Sequence, residues 1–201
     1  SYEPAFSYDA TTVAFTSYAT DVVPGDTNGQ PDVFVRNVVT RKTLLVSLAW
    51  DGSPANGPSG PGGVSVSGNG RYVAFVSHAT NLVPDDVNRA ADVFVRDTVA
   101  GVTIRASVAP DGTDANGPSE RPSISADGRY VAFRSIASNL VPGDANWWAD
   151  IFVRDLVAGV TIRVSVAADG AEANGDNAWP AISADGRYVA FESFAKILAL
   201  G

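Results

Sequence analysis

Short apolar runs, separated by polar turns, recur along the whole chain at a nearly constant spacing. The triplet Val-Ala-Phe begins at residues 13, 73, 131 and 189, which are steps of 60, 58 and 58. The run Asp-Val/Ile-Phe-Val-Arg begins at residues 32, 92 and 150. One two-residue insertion, in the Gly-rich segment 57–63, explains the longer step. A fixed period of this size predicts a repeat architecture.

Each repeat contains four runs with strand-like patterns. The first run ends in Asn-Gly or Asp-Gly, which tolerate the positive φ of a tight hairpin. The first repeat has Asp9-Ala10 there, so we expect its hairpin to be the least regular. The second run (130–134) and the third (150–154) are apolar on both faces, whereas the fourth (160–166) alternates. This pattern predicts two inner strands buried on both sides and an outermost strand with one side near water.

Repeated four-stranded antiparallel units with apolar inner strands are typical of an all-β fold, the β-propeller. Each blade of a propeller buries its faces only against its neighbours. A β-sandwich would show alternation in most strands, so it fits less well. No stretch shows helical periodicity. The sequence therefore predicts a β-propeller of four-stranded blades.

The repeat length places the predicted blades at residues 2–55, 56–115 and 116–173, with a partial fourth blade at 174–201, in a single domain 1–201. Propellers have four blades or more, so three and a half blades do not close a ring. The last strand would also leave an unpaired edge. The chain is either a piece of a longer propeller or closes its ring by self-association, and we favour assembly with further copies.

The phrase Pro-x-Ile-Ser-Ala-Asp-Gly-Arg-Tyr-Val-Ala-Phe-x-Ser at residues 122–135, followed by Asp-Ile-Phe-Val-Arg-Asp at 150–155, resembles the TolB-type propeller repeat. The resemblance covers nearly the whole chain. It implies the propeller fold but leaves the activity open, because such propellers serve as scaffolds, binding surfaces and parts of enzymes. The loop between the second and third strands is longer here than in the usual repeat.

Composition narrows the classes of partner. The formal net charge of −8 repels phosphate backbones, so we expect no nucleic-acid partner. The chain has no Cys, which excludes disulfides and thiolate metal sites. No apolar run reaches the length needed to span a bilayer. We expect the protein to be exported, to the periplasm or outside the cell.

The loop between the second and third strands repeats the pattern Asp-x-Asn-x-x-x-Asp. Its first copy resembles the back half of a calcium loop, and Ca²⁺ prefers carboxylate, amide and main-chain oxygens. The alternative is that these residues form Asx turns, which shape loops without a metal. The predicted Ca²⁺ ligands are Asp26, Asn28 and Asp32 in the first repeat, Asp86, Asn88 and Asp92 in the second, and Asp144, Asn146 and Asp150 in the third.

In an up-and-down blade, these loops and the connections between blades emerge on one face. The pattern places all four tryptophans on loops of that face. They are Trp50, Trp147, Trp148 and Trp179. An exposed Trp ring stacks well on a sugar, so we predict a surface that binds a glycan or protein ligand. The alternative is that these rings fill gaps between blades or build an interface.

Signals for catalysis are weak. The single histidine, His78, aligns with Tyr18, Ile136 and Phe194, so we interpret it as a packing residue. No Gly-x-Ser-x-Gly motif occurs, and no Gly-rich segment leads into a helix as a phosphate loop would. A further recurring set, predicted to form ion pairs between blades, is Arg36, Arg96 and Arg154.

The sequence thus favours a non-catalytic binding or scaffold module that calcium stabilises. The alternative is the propeller portion of a larger secreted hydrolase or polysaccharide-degrading enzyme, whose catalytic part lies elsewhere.

Overall fold

A computed structural model describes residues 2–198, with side chains from residue 4 onward. Ser1 and residues 199–201, which belong to the predicted domain, lie outside the described residues. The described chain contains fourteen strands, β1 to β14, and no helix. The strands form three four-stranded antiparallel sheets and one two-stranded sheet, and in each sheet the spatial order follows the chain. The predicted propeller-type blades are therefore confirmed.

The strand bounds repeat from blade to blade. The first blade contains β1 (Tyr2–Phe6), β2 (Thr12–Ser17), β3 (Asp32–Asn37) and β4 (Thr43–Leu45). The second contains β5 (Ser59–Val66), β6 (Tyr72–Ser77), β7 (Asp92–Asp97) and β8 (Val102–Arg105). The third contains β9 (Ser119–Ile124), β10 (Tyr130–Ser135), β11 (Asp150–Asp155) and β12 (Val160–Arg163). The partial blade contains β13 (Asn177–Ile182) and β14 (Val189–Ser193).

The inner strands are buried on both faces, as their continuous apolar pattern predicts. Residues at the start of β3, β7 and β11 are almost fully buried. In β7, Phe94 packs in a core cluster shared with the first blade, and Val93 packs in a cluster shared with the third. One core cluster joins Val33 and Val35 of the first blade to Phe75 of the second. A second cluster joins Val93 of the second blade to Phe133 of the third. Each fully buried Phe or Val contributes about 1.5–3 kcal/mol, so contact between blades dominates the stability.

The hairpin between the first two strands has the same hydrogen bonding in every blade. Gly128 donates its N–H to the Ser125 carbonyl at 3.0 Å, and Ala10 donates equivalently to Ser7 at 2.9 Å. Ala10 reaches this geometry with a φ of 54°, in the left-handed region that favours glycine. The expectation that the first hairpin is the least regular is therefore wrong. In the third blade a Cβ on Gly128 would lie 2.1 Å from the Tyr72 ring, so that position requires glycine.

The outermost strands alternate as predicted, and their exposed side is the apolar one. In β12, Val160 and Ile162 are exposed, whereas the Arg163 side chain is only 9% exposed. The strand also ends earlier than predicted, at Arg163, although Val164 still donates its N–H to the Ile151 carbonyl at 2.9 Å. The buried guanidinium stays in the blade because acidic residues of the loops surround it.

Two sequence interpretations are wrong. The recurring arginines do not pair between blades: each donates to a threonine of the adjacent outermost strand, at 2.8 to 3.1 Å. These pairs are Arg36 with Thr43, Arg96 with Thr103, and Arg154 with Thr161. His78 is exposed rather than packed in the core, as are Tyr18 and Phe194 at the same position of the repeat. The position follows the last residue of the second strand and begins the loop.

Ion pairs instead connect the hairpin to the end of the third strand within one blade. Arg71 donates to Asp97 with its Nε at 3.0 Å and its Nη2 at 2.6 Å, and Arg129 pairs with Asp155 in the same way. The first blade lacks both partners, because Thr11 and Asn37 stand at these positions. The Arg71 hydrogen bond lowers the pKa of Asp97 to about 2.

We predict that Asp97→Asn lowers the free energy of unfolding at pH 7 by about 1 kcal/mol or less, because the Arg71 side chain is 41% exposed and solvent screens the pair. The pKa of Asp97 lies below its unfolded value of 3.8, so its contribution is present above pH 4 and is lost as the pH falls through 2. Urea unfolding between pH 7 and pH 2.5 measures it.

The matched control is Arg71→Gln, which removes the same pair from the other side. The double variant should lose little more than either single variant. A deficit for Asp97→Asn that stays constant as the pH falls would contradict the ion-pair interpretation.

Candidate functional site: the loop face

Two sets of loops emerge on one face of the blades, which we call the loop face. It contains the loops between second and third strands (18–31, 78–91 and 136–149) and the connections between blades (46–58, 106–118 and 164–176). Trp50 donates its main-chain N–H to the Asn81 carbonyl at 3.1 Å, and Val87 donates its N–H to Asp114 at 2.9 Å. These bonds confirm that both sets of loops lie together.

A buried aspartate opens the third strand of each blade and holds the loop face from below. Asp92 is fully buried; its Oδ1 accepts from the Ser107 hydroxyl at 2.6 Å and its Oδ2 from the Asn88 amide at 2.8 Å. Ser107 in turn accepts the N–H of Val93 at 3.0 Å. The aspartate thereby connects its own loop to the connection that follows the outermost strand. Asp32 and Asp150 make the equivalent bonds to Ser47 with Asn28 and to Ser165 with Asn146.

The predicted asparagine ligands turn their amide nitrogen, not their oxygen, toward the buried aspartate. Asn88 also donates to the Ala115 carbonyl at 3.0 Å, which fixes the orientation of the amide. Its oxygen accepts the main-chain N–H of Ala90 at 2.9 Å, the geometry of an Asx turn. Asn28 and Asn146 repeat both contacts. In all three loops the asparagine therefore shapes the loop, in agreement with the alternative interpretation.

The first aspartate of the motif meets an arginine in the second and third blades. Arg163 Nη1 lies 3.2 Å from Asp144 Oδ1 and 3.4 Å from Asp150 Oδ2, and also pairs with Glu172 at 2.5 Å. Each of these arginines is the last residue of its outermost strand, which brings it under the loop. In the second blade, Arg105 pairs in the same way with Asp86 and Asp114.

The first blade has lost this arginine. Leu45 stands at the position of Arg105 and Arg163, and Pro54 stands at the position of the second acid. Asp26 is nevertheless 95% buried, with an exposed fraction of 5%, and both of its carboxylate oxygens lack a hydrogen-bond partner. This uncompensated carboxylate distinguishes the first loop from the other two.

Burial controls the electrostatics of these loops. It raises the pKa of Asp26, and it raises the pKa of Asp32 together with the nearby Asp26 charge, although the Ser47 and Asn28 hydrogen bonds act in the opposite direction. In the second blade, burial and the Asp92 charge raise the pKa of Asp86 to about 6, against the effect of Arg105.

Within residues 2–198, no group of three or more His, Cys, Asp or Glu side chains lies close enough together to form a metal site.

Three of the four tryptophans lie on the loop face. Trp50 is exposed where the first blade meets the second, and Trp147 and Trp148 are exposed on the loop of the third blade. Trp147 is 91% exposed and has a φ of 60°, which is unusual for a bulky residue. The Asx turn of Asn146 holds Trp148 by its main-chain N–H at 2.9 Å. These rings are therefore displayed on a braced loop.

The prediction for Trp179 is wrong in its location. Trp179 lies inside β13, at a bulge where its φ is 53°, and not on a loop. Its ring packs under the Arg121 guanidinium, 3.4 Å from the ring centroid. Arg121 and Trp179 occupy the same position in consecutive first strands, so the contact runs between blades. The sequence pattern does not distinguish a bulge inside a first strand from the loop that precedes that strand.

Sequence reasoning also missed Arg105, Arg163 and their acidic partners. The available signal was a comparison of repeats at the end of the fourth run, where Thr-Ile-Arg occurs twice and Thr-Leu-Leu once. That comparison shows that the first repeat lacks both the arginine and the second acid. It does not show that the arginine of the other repeats contacts the loop aspartates. Their contact depends on the short outermost strand, which only the fold shows.

Comparison with known proteins identifies the fold. No family model matches the chain, and no curated protein matches it in sequence. TolB from Acinetobacter baumannii matches with a TM-score of 0.57 and 20% identity, over 94% of this chain and 37% of that one. A putative TolB from Agrobacterium tumefaciens matches with a TM-score of 0.55 and 15% identity, over 96% of this chain and 58% of that one. The chain has the fold of a TolB-type β-propeller.

An enzyme shares the same architecture. Oligogalacturonate lyase from Vibrio parahaemolyticus matches with a TM-score of 0.56 and 12% identity, over 96% of this chain and 46% of that one. At such identity the likeness concerns the fold alone. The chain spans less than two thirds of the length of each of these three proteins. Among the described residues, no helix has the length and apolarity to cross a membrane.

Proposed function

We propose that this chain is a non-catalytic binding module whose loop face takes a glycan or protein ligand. The observation that carries the proposal is the display of exposed Trp147 and Trp148 on a loop that buried polar bonds hold from below. A ring held in place binds with little loss of conformational entropy. Because every carboxylate beneath the loop has a structural partner in the third blade, the platform is rigid without a ligand.

The chemistry of the platform favours a sugar. Trp147 and Trp148 offer flat apolar faces, and Glu172 and Asp176 lie beneath the same loop, accepting the N–H groups of Ala145 and Ala149. Aromatic rings next to polar groups suit a ligand with an apolar face and a hydroxyl rim. A protein ligand could contact the same surface through an exposed polar loop, but such a loop matches the two flat rings less well than a sugar does.

The alternative role, as the propeller portion of a larger hydrolase or polysaccharide-degrading enzyme, is compatible with the same surface. The match to oligogalacturonate lyase supports only the shared fold. In that case the loop face would hold a polymer for a catalytic part outside this chain.

We predict that Trp147→Gly combined with Trp148→Ala weakens binding of a glycan found on an array by at least about tenfold, the equivalent of about 1.4 kcal/mol. Gly29 and Ala90 stand at the two positions in other blades, so the substitutions suit the loop backbone. The thermal midpoint should stay unchanged, because both side chains are exposed. Titration calorimetry with the array hit gives the affinities.

The matched control is Trp179→Ala, which removes a ring of 57% exposure outside the loop face. It should leave the affinity unchanged. Equal weakening by both changes, or no weakening by the double variant, would contradict a binding site at Trp147 and Trp148.

A second proposal concerns assembly with another copy of this chain. Val13 and Phe15 of the first blade are only partly buried, although their equivalents Val73 and Phe75 are fully buried by a preceding blade. Phe6, which faces the same way, is 65% exposed. At the other end, β14 pairs on one side only. The partial blade of one copy, placed against the first blade of the next, would cover these apolar groups.

We predict that light scattering at about 100 μM finds a mass of at least two chains, and that Phe6→Glu returns it to one chain. Phe6 is exposed, so the charge disturbs association rather than the blade itself. A wild-type mass equal to one chain across this concentration range would exclude the assembly.

We also propose that the protein is exported. The acidic loops suit the millimolar calcium outside cells, where weak sites are filled. Fractionation of a producing cell tests this location.

A further inference from the structure

We propose that the loop of the first blade binds a hard divalent cation of the Ca²⁺ class between Asp26 and Asp32, at the place that an arginine fills in the other two blades. The inference does not depend on what the loop face binds. It narrows the calcium expectation from three loops to one.

The second and third blades show what these loop aspartates require. In both blades a buried guanidinium lies among the acids of the loops, and in the second blade Arg105 pairs with Asp86 and Asp114. In the third blade, Arg163 Nη1 is within 3.4 Å of both Asp144 and Asp150. The side chains of Arg105 and Arg163 are only 7% and 9% exposed, so these cations are desolvated with their partners. A buried carboxylate pair without a positive charge is strongly unfavourable.

The first blade keeps the two carboxylates and loses the cation. Leu45 replaces the arginine, and Pro54 replaces the extra acid that accompanies it. Asp26 stays 95% buried, and neither carboxylate oxygen has a hydrogen-bond partner. The first blade therefore lacks both the arginine and the second acid but keeps Asp26 and Asp32. This combination points to another positive charge at this centre.

The donors that remain are hard oxygens. Asp26 offers two. Asp32 offers a second lone pair on Oδ2, which also accepts from Asn28 at 2.8 Å, just as Asp150 Oδ2 accepts from Asn146 and still lies 3.4 Å from Arg163. The Asn28 oxygen is excluded because it accepts the Gln30 N–H at 2.9 Å. Carboxylates completed by main-chain carbonyls and water suit Ca²⁺, which accepts six to eight oxygens in flexible geometry. With two protein carboxylates, the dissociation constant should fall in the range of about 0.1–1 mM, typical of weak extracellular sites.

The test compares thermal melts of the full chain in EGTA and in 5 mM CaCl₂, with calorimetric titration of Ca²⁺ for stoichiometry. A single site of this affinity should raise the midpoint by about 3–7 °C and bind one ion per chain. No shift and no heat in the wild type would overturn the proposal.

Two variants locate the site. Asp26→Asn removes a ligand with almost no change of shape and should abolish the calcium shift. Leu45→Arg keeps both aspartates and introduces the guanidinium of the other blades, so it should raise the midpoint in EGTA and remove the response to calcium. The matched control, Asp144→Asn in the third blade, should keep the full shift.

A calcium shift that survives in Asp26→Asn would overturn the assignment to the first blade. If that shift is lost in Asp144→Asn instead, the site lies in the third blade. If Leu45→Arg does not fold, Asp26→Asn and its control still decide the question. Arg163→Leu supplies the reverse experiment: it frees Asp144 and Asp150 and should add a second bound ion per chain.

Discussion

Burial of each blade against its neighbours is the constraint on which the rest of this structure depends. The inner strands are apolar on both faces, so a blade in isolation would expose both. Phe75 and Phe133 are completely covered because a blade precedes each of them. Phe15, at the same position in the first blade, is only partly covered. The second strands of the second and third blades are therefore more completely buried than the second strand of the first blade.

The loop face rests on a second constraint, which is the cost of burying carboxylates. Each third strand begins with a fully buried aspartate whose oxygens accept bonds from a serine and an asparagine. These bonds hold two loops together and fix the turn that displays Trp147 and Trp148. Where an additional aspartate lies beneath the loop, an arginine balances it in two blades. The first blade departs from this arrangement, and its departure is the most informative feature of the face.

The repeat pattern was sufficient to predict the blades, the inner strands and the face on which the loops meet. It was sufficient because the period and the two-sided apolar runs depend on local sequence. The pattern failed where a side chain acts on another element. Arg105 and Arg163 read as the polar side of an exposed strand, yet they turn inward to reach acids far away in sequence.

Local exceptions were also invisible to the pattern. Trp179 lies at a strand bulge that resembles a loop start, and Ala10 adopts a glycine-like φ because the surrounding hydrogen bonds require it. The Asx-turn orientation of Asn88 depends on the Ala115 carbonyl of a distant connection. Each of these features is set by tertiary contacts rather than by propensity.

Hydrogen exchange, resolved by strand, tests the central claim most directly. If neighbouring blades supply the stability, amides of β6, β7, β10 and β11 should exchange most slowly, those of β2 and β3 faster, and those of β14 fastest. The experiment should use a concentration low enough for single chains. Equal protection across all four sheets, or protection of β14 as strong as that of β10, would contradict the account.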